Sequence, residues 1–373
     1  MTSVRASQPQ HSSRAHSHAP SRARFLVWFS VLLLVAFASF IAGICLGPTS
    51  VNAPDTLSIL GHHLAQILPG TDPAATTPWP QDPQKDAIVW QLRTPRVILA
   101  AIVGSALALT GMVLQAVVRN LLADPYILGI HSGASCGAAA AIVLGIGAQF
   151  GDYALQGSAF LGALAATAVV FGVALSSGKL TSLRVLLTGV AIGYALSAAT
   201  SFLIFASDSP EASRSIMFWL LGSLGLANFN GVLLVTLITT AVVAVAFILL
   251  APRIDALSSG DATSLAVGIN PTTLRAVLLG LSSLLIGVVV AMSGAIGFIG
   301  LIIPHIARRL VGSKHRWALP ISAVLGAILL IWADILSRVV LAPQEIPVGI
   351  VTALLGAPFI IPLIKRAYPA SSN

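Results

Sequence analysis

The sequence predicts an all-α polytopic membrane protein with ten transmembrane helices, and three observations carry that expectation. Only 9% of its 373 residues are charged and 56% are hydrophobic, against roughly 25% charged in an average soluble domain. Apolar runs of the length that spans a bilayer, about 20 residues, recur along the chain. Lys and Arg gather in alternate connections between those runs, as they do in cytoplasmic loops. Helices follow rather than a barrel, because lipid leaves every backbone amide to be satisfied within its own segment and the period-two alternation of barrel strands is absent.

In chain order, residues 1–24 are rich in Ser, His and Arg, lack apolar periodicity and read as a disordered cytoplasmic tail. The run at 25–46 is too long for a signal-peptide core and no convincing cleavage site ends it, so it is a retained first span opening a membrane domain at 25–366. Residues 47–90, rich in Pro, Asp and Thr, form the largest external loop, with a short helix expected at Asp55–Leu68. Spans follow at 97–118, 126–148, 154–175, 185–206 and 231–251. Ahead of the last of these, Ile216–Leu226 is an 11-residue apolar run, too short to cross, that fits an interfacial or re-entrant helix. The inner loop at 253–275 reads as two short helical turns separated near Gly260.

Ala276–Ala307 then offers 32 residues without a charge, interrupted at Gly294, Gly297, Gly300 and Pro304. That is too long for one span and short for two ordinary ones, so a broken helix is expected, divided as 276–295 and 296–307. Spans at 318–341 and 347–364 and a cytoplasmic tail at 367–373 complete the chain. Charge decides whether 296–307 crosses. With ten crossings and the N-terminus inside, 15 of the 20 Lys and Arg face the cytoplasm, Arg308, Arg309, Lys314, Arg316, Lys365 and Arg366 among them, and nine of the 12 acids face outward. Nine crossings would turn that basic end outward, against the positive-inside rule. Both termini are therefore expected in the cytoplasm.

The same topology accounts for the net charge of +8; no segment combines a basic patch with stacking aromatics, so no nucleic-acid partner is expected. Cys45 and Cys136 lie in separate apolar segments and support neither a disulfide framework nor a metal site. No cofactor is called for. The pairs Gly133/Gly137 and Gly189/Gly193 have the small-xxx-small spacing that lets helices approach closely. Arg93 and Arg96, three apart at the outer start of the second span, project from one helical face, and Asp334 precedes Arg338 by the four residues that favour an ion pair. Three arginines at outer helix ends ask for acidic partners, and Glu345 is placed to balance local charge. His131 and His305 are intramembrane imidazoles for which hydrogen bonding or helix positioning is the better reading than metal ligation.

Several long stretches resemble one family, the permease subunits of bacterial ATP-binding-cassette importers for ferric siderophores, vitamin B12 and haem. They are QLRTPRVILAAIVGSALALTGMVLQAVVRNLLADPYILGIHSGAS (Gln91–Ser135), RVLLTGVAIG (Arg184–Gly193), FWLLGSL (Phe218–Leu224), SGAIGFIGLIIPHIARRLVGSKHR (Ser293–Arg316), ADILSR, and EIPVGIVTALLGAP with its basic end. The chain departs from the family pattern at Asn120-Leu121-Leu122-Ala123, where a proline usually follows the Asn, and at Ser259-Gly260-Asp261, where Leu-Gly-Glu is usual.

The resemblance implies the type II importer permease fold, working in a bacterial cytoplasmic membrane as a homodimer or with a close paralogue, around a path lined by spans two, three and five and the broken region. It implies two copies of an ATPase subunit, received by the inner loop through Leu257, Gly260, Asp261, Leu265 and Gly268, and an extracytoplasmic substrate-binding protein docking on Arg93, Arg96 and Arg338. Gly294, Gly297, Gly300 and Pro304 become gating positions. An iron(III)–siderophore complex is the first expectation for cargo, with vitamin B12 and haem as alternatives. No enzymatic role is expected: the nearest approach to a P-loop, Gly172–Leu180, has one residue too many between its glycines and Leu180 where magnesium needs a hydroxyl. An ion-coupled secondary transporter would need intramembrane carboxylates, and Asp334 and Glu345 lie near outer ends; a receptor or scaffold would need a sizeable soluble domain that neither the tail nor the outer loop supplies.

Overall fold

The computed structural model describes residues 22–49, 51–67, 82–176 and 180–367. Residues 1–21 and 368–373, expected to be tails, and 68–81 of the external loop lie outside the described residues. The described chain is helical: α1 (Arg22–Cys45), α2 (Ala53–Ile67), α3 (Thr94–Val118), α4 (Ile130–Leu144), α5 (Ala154–Leu175), α6 (Ser182–Phe205), α7 (Pro210–Leu220), α8 (Gly231–Ser258), α9 (Asp261–Ala266), α10 (Pro271–Ser293), α11 (Ile299–Val311), α12 (His315–Val339) and α13 (Val348–Ala367). Among the described residues seven helices are long and apolar enough to cross a membrane: α1, α3 with its N-terminal extension, α5, α6, α8, α10 and α12. Two shorter apolar helices, Ile130–Leu144 and Val348–Phe359, and the 13-residue α11 accompany them.

Several boundaries differ from expectation for local reasons. α1 takes in Arg22 and Arg24, assigned above to the tail; Arg24 donates to the Arg309 carbonyl at 3.2 Å and so ties the first turn to the bundle. The outer loop ends at residue 82, because Asp82 caps a helical turn at Pro83–Asp86, accepting from the amides of Gln84 and Lys85. That turn runs through a π-helical stretch, Ala87–Arg93, into α3. Pro95 has no amide hydrogen to donate, and beside it both the amide and the hydroxyl of Thr94 donate to Val89, five residues back, the hydroxyl at 2.7 Å, as the wider turn requires.

The third apolar run is 15 helical residues rather than 23. Asp124 organises a 3₁₀ turn at Pro125–Leu128 before it, and left-handed Gly145 ends it. The short outer helix is Pro210–Leu220, not Ile216–Leu226: Ser209 caps it and Pro210 occupies its first turn. In the inner loop, the first expected turn is simply the end of α8, which continues through Pro252 to Ser258; only α9 is separate.

α3 is the centre of the fold, buried along almost its whole length. It was expected to line the path, but α12, α11, α10 and α8 all pack on it. Small residues set the approach: a Cβ on Gly111 would lie 1.9 Å from the Gly300 carbonyl oxygen, and one on Gly104 would lie 2.2 Å from that of Gly326. Gly133 and Gly137 likewise face the backbone of Gly162 and Ser158, pairing α4 with α5 as their spacing predicts.

Candidate functional site

At one end of the bundle a cleft of about 350 Å³ is lined by Arg93, Arg96, Arg338 and Glu345, with Thr49, Leu92 and Leu224. The three arginines share this cleft but hold different partners. Arg93, 4% exposed, donates to the carbonyls of Ile44 and Cys45, which the C-terminus of α1 leaves without intrahelical donors, and to that of Thr49 in the segment beyond it. Arg338 reaches the same helix end, through Gly43 at 3.0 Å and Leu46 at 3.1 Å, and pairs with Asp334 at 3.0 Å. Arg96 lies between Asp334, at 2.8 Å, and both carboxylate oxygens of Glu345, at 2.9 and 3.0 Å. The buried Asp334 carboxylate thus faces two guanidiniums, and Glu345, whose side chain is 44% exposed, supplies the second negative charge at the rim. The i, i+4 pair and the balancing role of Glu345 stand as the spacing predicts.

Deep in the bundle the chain breaks at 294–298, between α10 and α11. Gly294 adopts φ 62°, ψ −156°, a region open essentially to glycine, and a Cβ there would lie 2.1 Å from the Trp219 carbonyl oxygen. Phe298 stands at φ 71° without that licence. Tyr126 clamps the loop between them: its hydroxyl donates to the Ile296 carbonyl at 2.7 Å and accepts from the Ile296 amide at 2.8 Å. Gly297 lies within the break opposite Tyr126, whereas Gly300 and Pro304 fall inside α11, so the reading of Pro304 as an interruption is corrected. The helix survives because the Gly300 carbonyl, which a proline at 304 cannot satisfy, accepts from the buried Gln115 side chain at 3.3 Å. Gln115 also donates to Leu301 and accepts from Arg308.

At the opposite end lies the loop around α9. Leu257 is fully buried, and its carbonyl accepts from Arg119 at 3.0 and 3.1 Å. Gly260 breaks the chain at φ 131°, and Asp261 opens α9, accepting from Arg275 at 2.6 and 3.1 Å and from Arg119. The hydrogen bond from Arg275 holds the Asp261 carboxyl below its usual range, outweighing the desolvation that opposes it, and the hydrogen bond from Arg119 adds to the lowering. Leu265 and Val267 project, 62% and 60% exposed, and Gly268 turns the chain at φ 76° toward the Asn270 cap of α10. Beside this loop the first residue of α12 meets the end of α8: His315 Nδ1 lies 2.5 Å from Asp255.

With this geometry in view, the chain was compared with known proteins. The profile of the FecCD transport family matches residues 32–366. The chain belongs to the FecCD transport family. A hemin transport system permease protein, HmuU of Yersinia pestis, is 40% identical over 284 residues, 74% of this chain and 83% of that protein. The Fe(3+)-citrate import system permease YfmD of Bacillus subtilis is 35% identical, covering 76% of this chain and 83% of its own. A vitamin B12 import system permease, BtuC of Escherichia coli, is 35% identical over 345 residues, 92% of this chain and 95% of that one. A solved structure of a metal-chelate type ABC transporter in an inward-facing conformation superposes with TM-score 0.76 at 32% identity, over 91% of this chain and 98% of that one.

This FecCD chain is therefore a multi-pass inner-membrane permease of the iron-chelate, haem and B12 importers, not a catalytic subunit, and ATP hydrolysis falls to a separate ATPase. The structure brings Arg93, Arg96 and Arg338 into one cleft, and Leu257, Gly260, Asp261, Leu265 and Gly268 into one loop. Sequence reasoning missed Gln115, Tyr126, Arg119 and Arg275. A buried Gln in an otherwise apolar span was the signal for the first; the ion partners of Asp261 lay 142 and 14 residues away and had none. Among the described residues no group of three His, Cys, Asp or Glu converges as a metal site. His131 packs edge-on to Tyr126 at 5.0 Å, and His305 similarly meets Phe359 at 6.2 Å.

Proposed function

We propose that this chain is the membrane conduit of an ATP-driven importer for an iron(III)–siderophore complex, crossing the bilayer ten times with both termini in the cytoplasm. One observation carries the topology. His315, which follows α11, touches Asp255, which precedes α10, so the leg from α10 through the break and α11 returns the chain to the end of the bundle it left. Charge bias then makes that end cytoplasmic. Cysteine labelling from either side tests it: Ser313→Cys labels only from the cytoplasm and Gln344→Cys only from outside. Labelling of residue 313 from outside would refute ten crossings.

In this reading the α9 loop is the contact for two ATPase copies, offering the exposed apolar Leu265 and Val267 from a base fixed by the Arg119–Asp261–Arg275 pairs. The binding protein docks over the outer cleft, and Arg96 is its foremost contact because its rim partner Glu345 is solvent-exposed and exchangeable for an incoming carboxylate. Arg93 and Arg338 hold the end of α1 in place beneath it. A second copy, or a close paralogue, covers the exposed apolar surface of α6, where Leu187, Tyr194, Phe202 and Phe205 project. The relatives named for hemin, Fe(3+)-citrate and vitamin B12 support a bulky metal chelate as cargo, with B12 and haem the alternatives to a siderophore. Uptake of each chelate by cells lacking the chain separates the three.

A further inference from the structure

At the end of the bundle that carries the α9 loop lies a second cavity, of about 260 Å³, for which the transport reading names no ligand. Gln115, Arg119 and Asn120 from the end of α3, Ser258 from α8, and Arg308, Ser313 and His315 around the α11–α12 junction line it. Its charge inventory does not close. Asp255 is engaged by His315 and Asp261 by Arg119 and Arg275. Of the arginines lining this cavity, Arg308 meets no carboxylate among the described residues; it donates to the neutral side-chain oxygen of Gln115. At the outer end Asp334 and Glu345 answer Arg96 and Arg338, and Arg93 is satisfied by the backbone carbonyls of Ile44, Cys45 and Thr49. Nε2 of the nearly buried His315 is likewise without a partner, while Nδ1 is oriented by Asp255. A half-buried guanidinium without a counter-charge and the Ser313 hydroxyl line one opening beside His315, while the Ser258 hydroxyl is taken up by the Asp255 carbonyl at 2.8 Å. Such a set is costly when empty of negative charge and is met best by a multidentate oxyanion.

The depth of the opening favours one source. His315 lies two residues before Trp317, whose ring packs on Phe25 at 4.6 Å and carries Arg316 over its face at 4.5 Å. Trp with flanking arginines is the arrangement found at the headgroup level, and basic pockets between helices on the cytoplasmic side take phospholipid headgroups. Leu121, half-exposed at the same mouth, offers apolar surface. We infer that this cavity is a phosphate-oxyanion site whose occupant is the headgroup of an anionic phospholipid of the inner leaflet, bound through Arg308. It holds whatever chelate is carried.

The test is native mass spectrometry of the full chain released from detergent after titration with phosphatidylglycerol, phosphatidylcholine or inorganic phosphate. The wild-type chain should retain one phosphatidylglycerol in clear preference to phosphatidylcholine. Arg308→Gln should weaken that retention roughly tenfold or more, the scale of a lost charge-assisted hydrogen bond, while Arg309→Gln, whose neighbouring side chain is exposed, should not. Ser313→Glu, which places a carboxylate at the mouth without touching the Gln115 contact, should displace the lipid even if Arg308→Gln fails to fold. Competition by inorganic phosphate at similar concentration would keep the oxyanion site but make its ligand free phosphate. Equal retention of both lipids, or retention unchanged in Arg308→Gln and Ser313→Glu, overturns the proposal. So does loss of ATPase-subunit assembly in Ser313→Glu without any lipid preference, which would assign the cavity to a partner carboxylate.

Discussion

Gln115 donates to the carbonyl of Gly300, the acceptor left over by the proline at 304, and so lets a helix of 13 residues run through a proline inside the membrane bundle. Removing the side-chain amide leaves that carbonyl and Arg308 without their partner in a dry setting. Gln115→Leu should therefore lower stability by roughly 1–3 kcal/mol, the cost of an unsatisfied buried polar group. Pro304→Ala in the same background should recover part of it, because the backbone amide then supplies the missing donor. Thermal unfolding of the single and double variants in detergent checks the coupling; strictly additive effects would contradict it.

Asp334 is the hub of the outer cleft, facing Arg96 and Arg338 from a side chain 1% exposed. Asp334→Asn keeps the shape and removes the buried charge that faces two guanidiniums, a change of the kind that costs up to roughly 3–5 kcal/mol when a buried pair loses one member. Low yield and a depressed unfolding midpoint are expected. Glu345→Gln removes only the exposed partner of Arg96 and should fold normally and strengthen binding-protein capture, because Glu345 no longer competes for that arginine; weaker capture would contradict the exchange.

Gly294→Ala forces a Cβ onto the Trp219 carbonyl at a backbone conformation that alanine avoids. Transport should fall steeply, and stability by more than the roughly 1–3 kcal/mol of strained backbone alone. Gly157→Ala, which meets open space, is the control and should be silent.

The Asp261 carboxyl is held below its usual range by Arg275 and Arg119. A depressed folded-state value means that the contribution is present above the unfolded value, about 3.9, and is lost only as pH falls through the still lower folded one. ATPase stimulation by the permease should accordingly show no step from this group between pH 5 and pH 8, whereas Asp261→Asn should impair it across that range. A titration step near neutrality that Asp261→Asn abolishes would contradict the assignment.

The order of the long apolar helices was legible because length and hydrophobicity carry it, and the break near Gly294 because glycine spacing interrupts a charge-free run. Helix ends were legible only where a cap was recognised: Ser209-Pro210 and Asp82-Pro83 were overlooked, and the outer helices moved accordingly. For the candidate site, Asp334 with Arg338 could be read from a local spacing, and the shared cleft of Arg93 and Arg96 from their position. Their division of labour could not, since it depends on the end of α1 arriving from nearly 50 residues away. Pro304 misled for the same reason: its missing hydrogen bond is replaced from α3, nearly 190 residues earlier.

The central claim is tested most directly by reconstituting the chain with its ATPase subunit and binding protein in proteoliposomes and following the movement of a ferric siderophore. The account predicts transport that requires ATP on the α9-loop side, stops with an ATPase subunit unable to hydrolyse it, and persists when an ionophore collapses all ion gradients. Chelate movement that proceeds without ATP and disappears with the ionophore would contradict it.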